Sequence, residues 1–294
     1  MTPQQPGRRR WLCAAGLALA GCAIDPDADH AGPDAPSAAP ADRPVPMAWV
    51  FSSGGPRGFV HVGVLKGLAE LGLQADLVVG ASAGAVVGVL WAAGLPAAEI
   101  ESLALDLNPM RLARVAPLAE QRFSGGALRE LVAESLGHRR LEQLPVPMVC
   151  VARRLPGGGV VGFNRGDAGL AAQAASAIEG RLTPVRIRGD RYADADLVMP
   201  MPVRVARAMG ARRVLAVDAS AHEDRAPAAA ERWRAADLHK RALTRPDAEA
   251  ADLVLHPDFG YWVNLSREFR ERAIEAGYRA VLAAAPQLRA LHAG

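Results

Sequence analysis

Gly80-Ala81-Ser82-Ala83-Gly84 constrains this chain more than any other stretch, because it sets a serine between two glycines directly after the strand-like run Asp76-Leu77-Val78-Val79. A serine held on so sharp a strand-to-helix turn is exposed as a nucleophile. In a chain with 29 glycines the pattern is weak by itself, so its neighbours decide what it means.

Upstream, Met47-Ala48-Trp49-Val50-Phe51 reads as a second strand. It runs into Ser52-Ser53-Gly54-Gly55-Pro56-Arg57-Gly58, and helical periodicity begins at Phe59, Val62, Val64, Leu65 and Leu68. A glycine loop at a helix N-terminus presents unpaired N–H groups and the positive end of a helix dipole, which stabilise negative charge. That charge is either a phosphate or an oxyanion. The glycines at 54, 55 and 58 do not fit G-x-G-x-x-G, and no G-K-[ST] follows. The second strand ends in Gly80, where a dinucleotide site would place an acidic residue. The oxyanion is the better fit, since in a parallel sheet both turns open on one edge and converge on one substrate carbonyl.

A third block, Tyr192-Ala193-Asp194-Ala195-Asp196-Leu197-Val198-Met199-Pro200-Met201-Pro202-Val203, ends a short strand in two aspartates. A Pro-rich turn then leads into a helix from Val203 to Met209. Together these blocks resemble the patatin-like phospholipases, lipid acyl hydrolases that use a Ser-Asp dyad. An S-G-G-G-x-R-G-type loop spans Ser52 to Gly58 and continues as Phe59-Val60-His61-Val62-Gly63-Val64-Leu65. The elbow spans Gly80 to Gly84, and a Y-x-D-G-type block spans Tyr192 to Val203. Ala174-Ala175-Ser176-Ala177-Ile178 is similar to the A-S-x-A-I segment that precedes the aspartate block, so the resemblance covers residues 47 to 210.

The resemblance implies Ser82 as nucleophile, Asp194 as its partner, and Gly54, Gly55, Arg57 and Gly58 as the oxyanion loop. It also implies Gly80 and Gly84 as the elbow glycines, no cofactor, and no metal. Four positions depart from the family's pattern. Ser53 stands where the first loop glycine usually sits, Ala195 and Asp196 replace the glycines after the aspartate, and Glu179 replaces a common proline. Pro56 has no N–H and is no oxyanion donor. Asp196 leaves a choice of carboxylates, and alignment favours Asp194.

In such a dyad the carboxylate accepts the serine proton as the hydroxyl attacks an ester carbonyl, then returns it to the leaving alcohol. Burial would raise the pKa of that carboxylate and make it a better base. Two other readings stay open. The order Ser82, Asp194, then His256 or His222 matches an α/β-hydrolase triad, although only one strand and one helix fit between Pro46 and the elbow. His256, after Leu253-Val254-Leu255, reads equally as a strand-end histidine with a structural hydrogen bond, and His222 reads as solvated. The altered Asp194-Ala195-Asp196 turn also admits a catalytically inactive lipid-binding envelope lipoprotein.

Arg8-Arg9-Arg10 followed by Trp11 to Ala20 has the form of a secretion signal too short to span a membrane. Its end, Leu19-Ala20-Gly21-Cys22, resembles a bacterial lipobox, which implies cleavage after residue 21, acylation of Cys22 and membrane attachment through it. An ordinary signal peptide is the alternative. Ala23 after the cysteine favours the outer membrane over the inner, facing the periplasm. Residues 22–46, rich in Ala, Pro and Asp, read as a lipidated cysteine and a disordered tether ahead of a single domain over 47–294.

Without Arg8, Arg9 and Arg10 the chain has 31 basic residues against 31 acidic, and it shows no basic run, which excludes nucleic acid as a partner. Cys150, in Met148-Val149-Cys150-Val151, reads as a buried strand residue or, alternatively, a catalytic thiol. Further strands are expected at Met148 to Val151, Val160 to Phe163 and Arg213 to Val217, with another ending at Leu255. Strands alternating with helices predict a three-layer α/β/α fold around a mainly parallel sheet. Asn108 to Ser124 reads as a lid or as an ordinary packed connection, and the helix around Ala228 to Leu243 as a solvated face. A C-terminal helix from Asn264 to Ala284 should bury Leu265, Phe269, Ile274, Tyr278 and Val281.

Overall fold

Strand β2 (Val45–Phe51) is buried at every position but Pro46, and from Met47 onward alternation sends its side chains into two different cores. Met47, Trp49 and Phe51 face one, while Ala48 and Val50 face the other. A strand covered on both faces belongs at the centre of a sandwich of helices around a sheet. The computed structural model describes residues 28–108, 111–117 and 119–293. The expected signal segment and Cys22 lie outside the described residues.

The chain forms β1 (Asp29–His30), β2, α1 (Val60–Glu70), β3 (Leu77–Ala81), α2 (Ala83–Ala92) and α3 (Ala97–Asp106). A small hairpin of β4 (Arg114–Val115) and β5 (Phe123–Ser124) leads to α4 (Gly126–Ser135), β6 (Met148–Leu155), β7 (Val160–Phe163) and α5 (Ala168–Ala175). Next come β8 (Val185–Ile187), β9 (Asp190–Asp194), α6 (Val203–Ala208), β10 (Ala211–Val217) and α7 (Arg234–Ala250). β11 (Leu253–Leu255), α8 (Arg267–Ala283) and α9 (Ala285–Ala293) close the chain.

The main sheet runs β1-β8-β9-β6-β3-β2-β10-β11, with β7 also paired to β6. From β6 to β11 every neighbouring pair is parallel, and β9, β8 and β7 enter antiparallel. The expected three layers are present. One core joins the sheet to α1, α2, α4, α5 and α8, and the other joins it to α6 and the end of α7.

Helices α1 and α8 approach so closely that a Cβ on Gly63 would lie 1.7 Å from the Ile274 carbonyl oxygen, and one on Gly277 2.1 Å from that of Val60. Helix α8 buries Phe269, Ile274 and Val281 as expected, whereas Leu265 precedes it and is exposed.

The tether expectation is corrected from residue 28 onward. β1 pairs in parallel with β8, Ala35 is buried, and the Asn164 side chain both accepts from the Ala39 N–H and donates to its carbonyl, each at 2.8 Å. Small side chains cannot form a core of their own, but their backbone groups can complete the edge of a sheet that already exists. In the 108–124 connection, the β4–β5 hairpin is fastened by Thr183, whose N–H donates to the Phe123 carbonyl at 2.8 Å. That fastening agrees with a packed connection.

Candidate active site

Register places the two key turns side by side, because Phe51 at the end of β2 pairs with Gly80 near the end of β3. Ser82 follows β3 with φ 52 and ψ −125, a backbone region that a residue with a side chain rarely occupies. The strain is held from several sides. The Ser82 N–H donates to Ala175 at 3.1 Å, while its carbonyl accepts the Ala85 N–H at 2.9 Å and the Ser176 hydroxyl at 3.2 Å.

Both elbow glycines are steric requirements. A Cβ on Gly80 would sit 2.5 Å from the Gly84 carbonyl oxygen, and one on Gly84 2.3 Å from that of Phe51. These contacts let α2 start directly over the strand ends and deliver Ser82 at the sheet's edge.

The loop after β2 is anchored as tightly. The Ser52 N–H donates to Val217, its hydroxyl accepts from the Ala219 N–H at 2.8 Å, and its carbonyl meets His61 Nε2 at 2.9 Å. The Ser53 N–H donates to Pro200 at 2.7 Å, which gives the Pro-rich turn a role in holding this loop. Gly55 has φ +52, and the N–H groups of Gly54 and Gly55 meet no acceptor among the described residues. They lie at the start of a short 3₁₀ turn, Gly55–Phe59, that continues into α1.

Asp194, the last residue of β9, is buried and lines the same cavity as Ser82. The Asp196 N–H donates to Asp194 Oδ1 at 2.9 Å. Burial pushes the Asp194 carboxyl up to about 6, helped by the nearby Asp196 charge and opposed by the neighbouring Ser82 hydroxyl, the Asp196 N–H and Lys240. The segment Ala174–Ile178 ties Ser82 to this strand. Ala175 holds the Ser82 N–H, and Ala177 accepts the Asp194 N–H at 2.9 Å.

Gly54, Gly55, Ser82, Asp194, Asp196, Ile178, Glu179, Leu197 and Lys240 line one cavity of about 240 Å³. Arg57 and Gly58, expected in the oxyanion loop, do not line it. The Arg57 N–H closes the turn onto Gly54, while its guanidinium donates twice to the Gly260 carbonyl at 3.0 and 2.8 Å and stacks over Phe259. A Cβ on Gly58 would lie 2.3 Å from that of Ala83, so this glycine serves close approach to the start of α2.

The two histidines weighed for a triad stack on each other, 3.7 Å between ring centroids. His222 Nε2 meets the His256 carbonyl at 3.1 Å and His256 Nε2 the Ser220 carbonyl at 3.1 Å, so these ring nitrogens are engaged with backbone. Burial drives the Cys150 thiol up to about 12, which leaves it protonated and inert. Among the described residues no group of three His, Cys, Asp or Glu side chains is placed to hold a metal.

Sequence reasoning missed Lys240, which reaches from α7 to Asp196 Oδ1 at 2.7 Å and to Ser53 Oγ at 3.3 Å. Ser53 itself hydrogen-bonds the same Asp196 oxygen. Burial alone would raise the Asp196 carboxyl, but the Lys240 charge and the hydrogen bonds from Lys240 and Ser53 outweigh it and hold the group below the usual carboxylate range. The available signal was the rarity of lysine, found only at Lys66 and Lys240.

A serine raised from a central strand of a three-layer sheet, with open backbone amides beside it, is the arrangement of the serine-nucleophile α/β/α class. Within that class the assignment is specific: residues 49–207, more than half of the sequence, match the patatin-like phospholipase family, and the chain belongs to it. An uncharacterised NTE-family protein of Mycobacterium bovis is 33% identical over 182 residues, covering 60% of this chain and 50% of that protein. Lysophospholipase NTE1 of Mycosarcoma maydis is 30% identical over 193 residues, covering 61% of this chain and 10% of that one. The chain thus matches half or less of the length of these relatives. VipD from Legionella pneumophila superposes with a TM-score of 0.61 over 90% of this chain and 71% of that one, at 13% identity, a likeness of fold.

Proposed function

We propose that the chain is a serine acyl hydrolase that cleaves carboxylic ester bonds of lipids through a Ser82–Asp194 dyad. One observation carries the reading: a strained serine and a buried aspartate line one cavity together with the free Gly54 and Gly55 amides. With its carboxyl at about 6, Asp194 is ionised at neutral pH and basic enough to take the Ser82 proton.

Ser82 Oγ attacks the ester carbonyl, and the developing oxyanion is stabilised by the two glycine amides. Collapse of the intermediate releases the alcohol with the proton from Asp194. Water, deprotonated by the same carboxylate, then frees the acid and restores Ser82. Ile178 and Leu197, exposed yet lining the cavity, offer apolar contact to an acyl chain. The similarity to the lysophospholipase of Mycosarcoma maydis supports a lysophospholipid substrate.

The proposal extends to the N-terminus, where the lipobox-like Leu19-Ala20-Gly21-Cys22 would attach the hydrolase to the periplasmic face of the outer membrane. Mass spectrometry of the protein extracted from membranes tests this: a mature chain starting at an acylated Cys22 supports it, and an unmodified N-terminus refutes it. The activity is tested by acyl release from lysophospholipid, diacyl phospholipid vesicles and p-nitrophenyl esters, with Ser82→Ala as control. Release by wild type that vanishes in Ser82→Ala is the expected result, and an inactive wild type that still binds vesicles would replace the enzyme with a lipid-binding lipoprotein.

A further inference from the structure

Resting on the hydrolase reading above, we propose that Ser53, Asp196 and Lys240 form a polar bracket that holds the oxyanion loop against the Ser82–Asp194 pair. Lys240 is its positioning residue, supplied from outside the matched segment. Asp196 touches both halves of the site at once. Its backbone N–H donates to Asp194 Oδ1 at 2.9 Å, and its carboxylate accepts from the hydroxyl of Ser53, the residue before Gly54. Lys240 closes the figure, with Nζ 2.7 Å from Asp196 Oδ1 and 3.3 Å from Ser53 Oγ.

Ser53 and Asp196 stand at two positions where the resembled motifs have glycine, 143 residues apart in sequence, and the side chains they add meet each other. A carboxylate brought in alone beside Asp194 would repel it and raise its pKa further. The Lys240 ammonium offsets that repulsion, so each replacement makes sense only with the others. The charged groups facing Asp194 are Asp196 on its own turn and Lys240 from α7, and Glu179 lines the same cavity with Arg153 as its ion-pair partner.

The test is a double-mutant cycle on the full chain with Lys240→Met, Asp196→Gly and the pair, read by the rate at which a fluorophosphonate labels Ser82 across pH. That reaction needs the nucleophile and the oxyanion site but no particular lipid. Lys240→Met alone should slow labelling about tenfold and move its acid limb to higher pH, because the cation that lowers the Asp194 pKa is gone. In the Asp196→Gly background the same substitution should change the rate by less than about threefold. On a hydrolysed ester the loss should fall on kcat with KM nearly unchanged, as a positioning role requires.

Lys240→Gln, which keeps a donor without the charge, carries the test should Lys240→Met lower the melting temperature by more than about 5 °C. The bracket is refuted if Lys240→Met labels like wild type, or if it costs the same tenfold with Asp196 already replaced. A wild type that does not react at all would overturn the hydrolase reading itself, and a reactive wild type with uncoupled variants the bracket alone.

Discussion

The nucleophile half of the site, built from β2, β3 and α2, is held by steric closeness, whereas the acid half, built from β9, the turn after it and α7, is held by polar side chains. In the first, Gly58, Gly80 and Gly84 each leave no room for a Cβ. In the second, Asp194 and Asp196 are placed by hydrogen bonds and an ion pair, and Leu197 on the same turn is 51% exposed. Close packing forbids change one residue at a time. Polar contacts permit it when partners change together, which is why the departures from the family's glycines at Ser53 and Asp196 meet in one contact.

The contrast breaks most directly if an imidazole performs the acid half's work. Ser82→Ala and Asp194→Asn are each expected to lower kcat/KM by at least about 10³-fold, with His222→Ala and His256→Ala within about threefold of wild type. A fall in His256→Ala like that of Asp194→Asn, in a folded protein, would hand the base to the histidine.

Next in size is the asymmetry in stability. Gly84→Ala, whose Cβ would meet the Phe51 backbone, should cost about 3 kcal/mol or more in urea unfolding, while Leu197→Ala should stay within about 0.5 kcal/mol. Equal costs would erase the difference between the halves.

Acid stability sharpens the comparison further, since each half holds one buried titrating group of opposite sign. Asp194, raised from 3.8 to about 6, keeps its proton in the native state through that window, so falling pH stabilises the fold there. His61, under the oxyanion loop, is lowered by burial from 6.5 to about 4, so falling pH through that window destabilises it. The slopes oppose, each up to about 1.4 kcal/mol per pH unit. Asp194→Asn should therefore make the protein more acid-labile between pH 6 and 4, and His61→Gln less so, as melting temperature against pH would show.

The last expected effect is kinetic. With Asp194 as base, kcat/KM of the wild type should fall about tenfold per unit below pH 6 and plateau above pH 7. The limb should persist in His222→Ala and His256→Ala. Its loss in either would mark the imidazole as the titrating group.

The steric half was legible in the sequence because its requirements are local: strand, glycine turn and helix follow one another within Met47–Leu68 and Asp76–Gly84. The parallel arrangement of those strands, and Val160–Phe163 as a strand, follow from the same short-range patterning. The polar half was less legible, since its contacts join residues far apart. Lys240 lies on a helix whose charge pattern reads as solvated, and only the fold carries its ammonium to Asp196. Arg57 shows the converse error. It belongs to the loop motif by sequence, yet burial beside Phe259 turns its guanidinium away to Gly260. Residues 28–46 misled for a third reason, because composition describes what a segment can bury but not which strand edge its backbone will find.

The β2–β10 ladder has a practical corollary. A chain trimmed to the matched segment, ending at residue 207, would retain each recognisable motif yet strip the partner from one flank of the central strand and the helix packed against α1. The bared edge would seek another chain to pair with, so expression of that fragment should yield aggregate instead of a smaller enzyme.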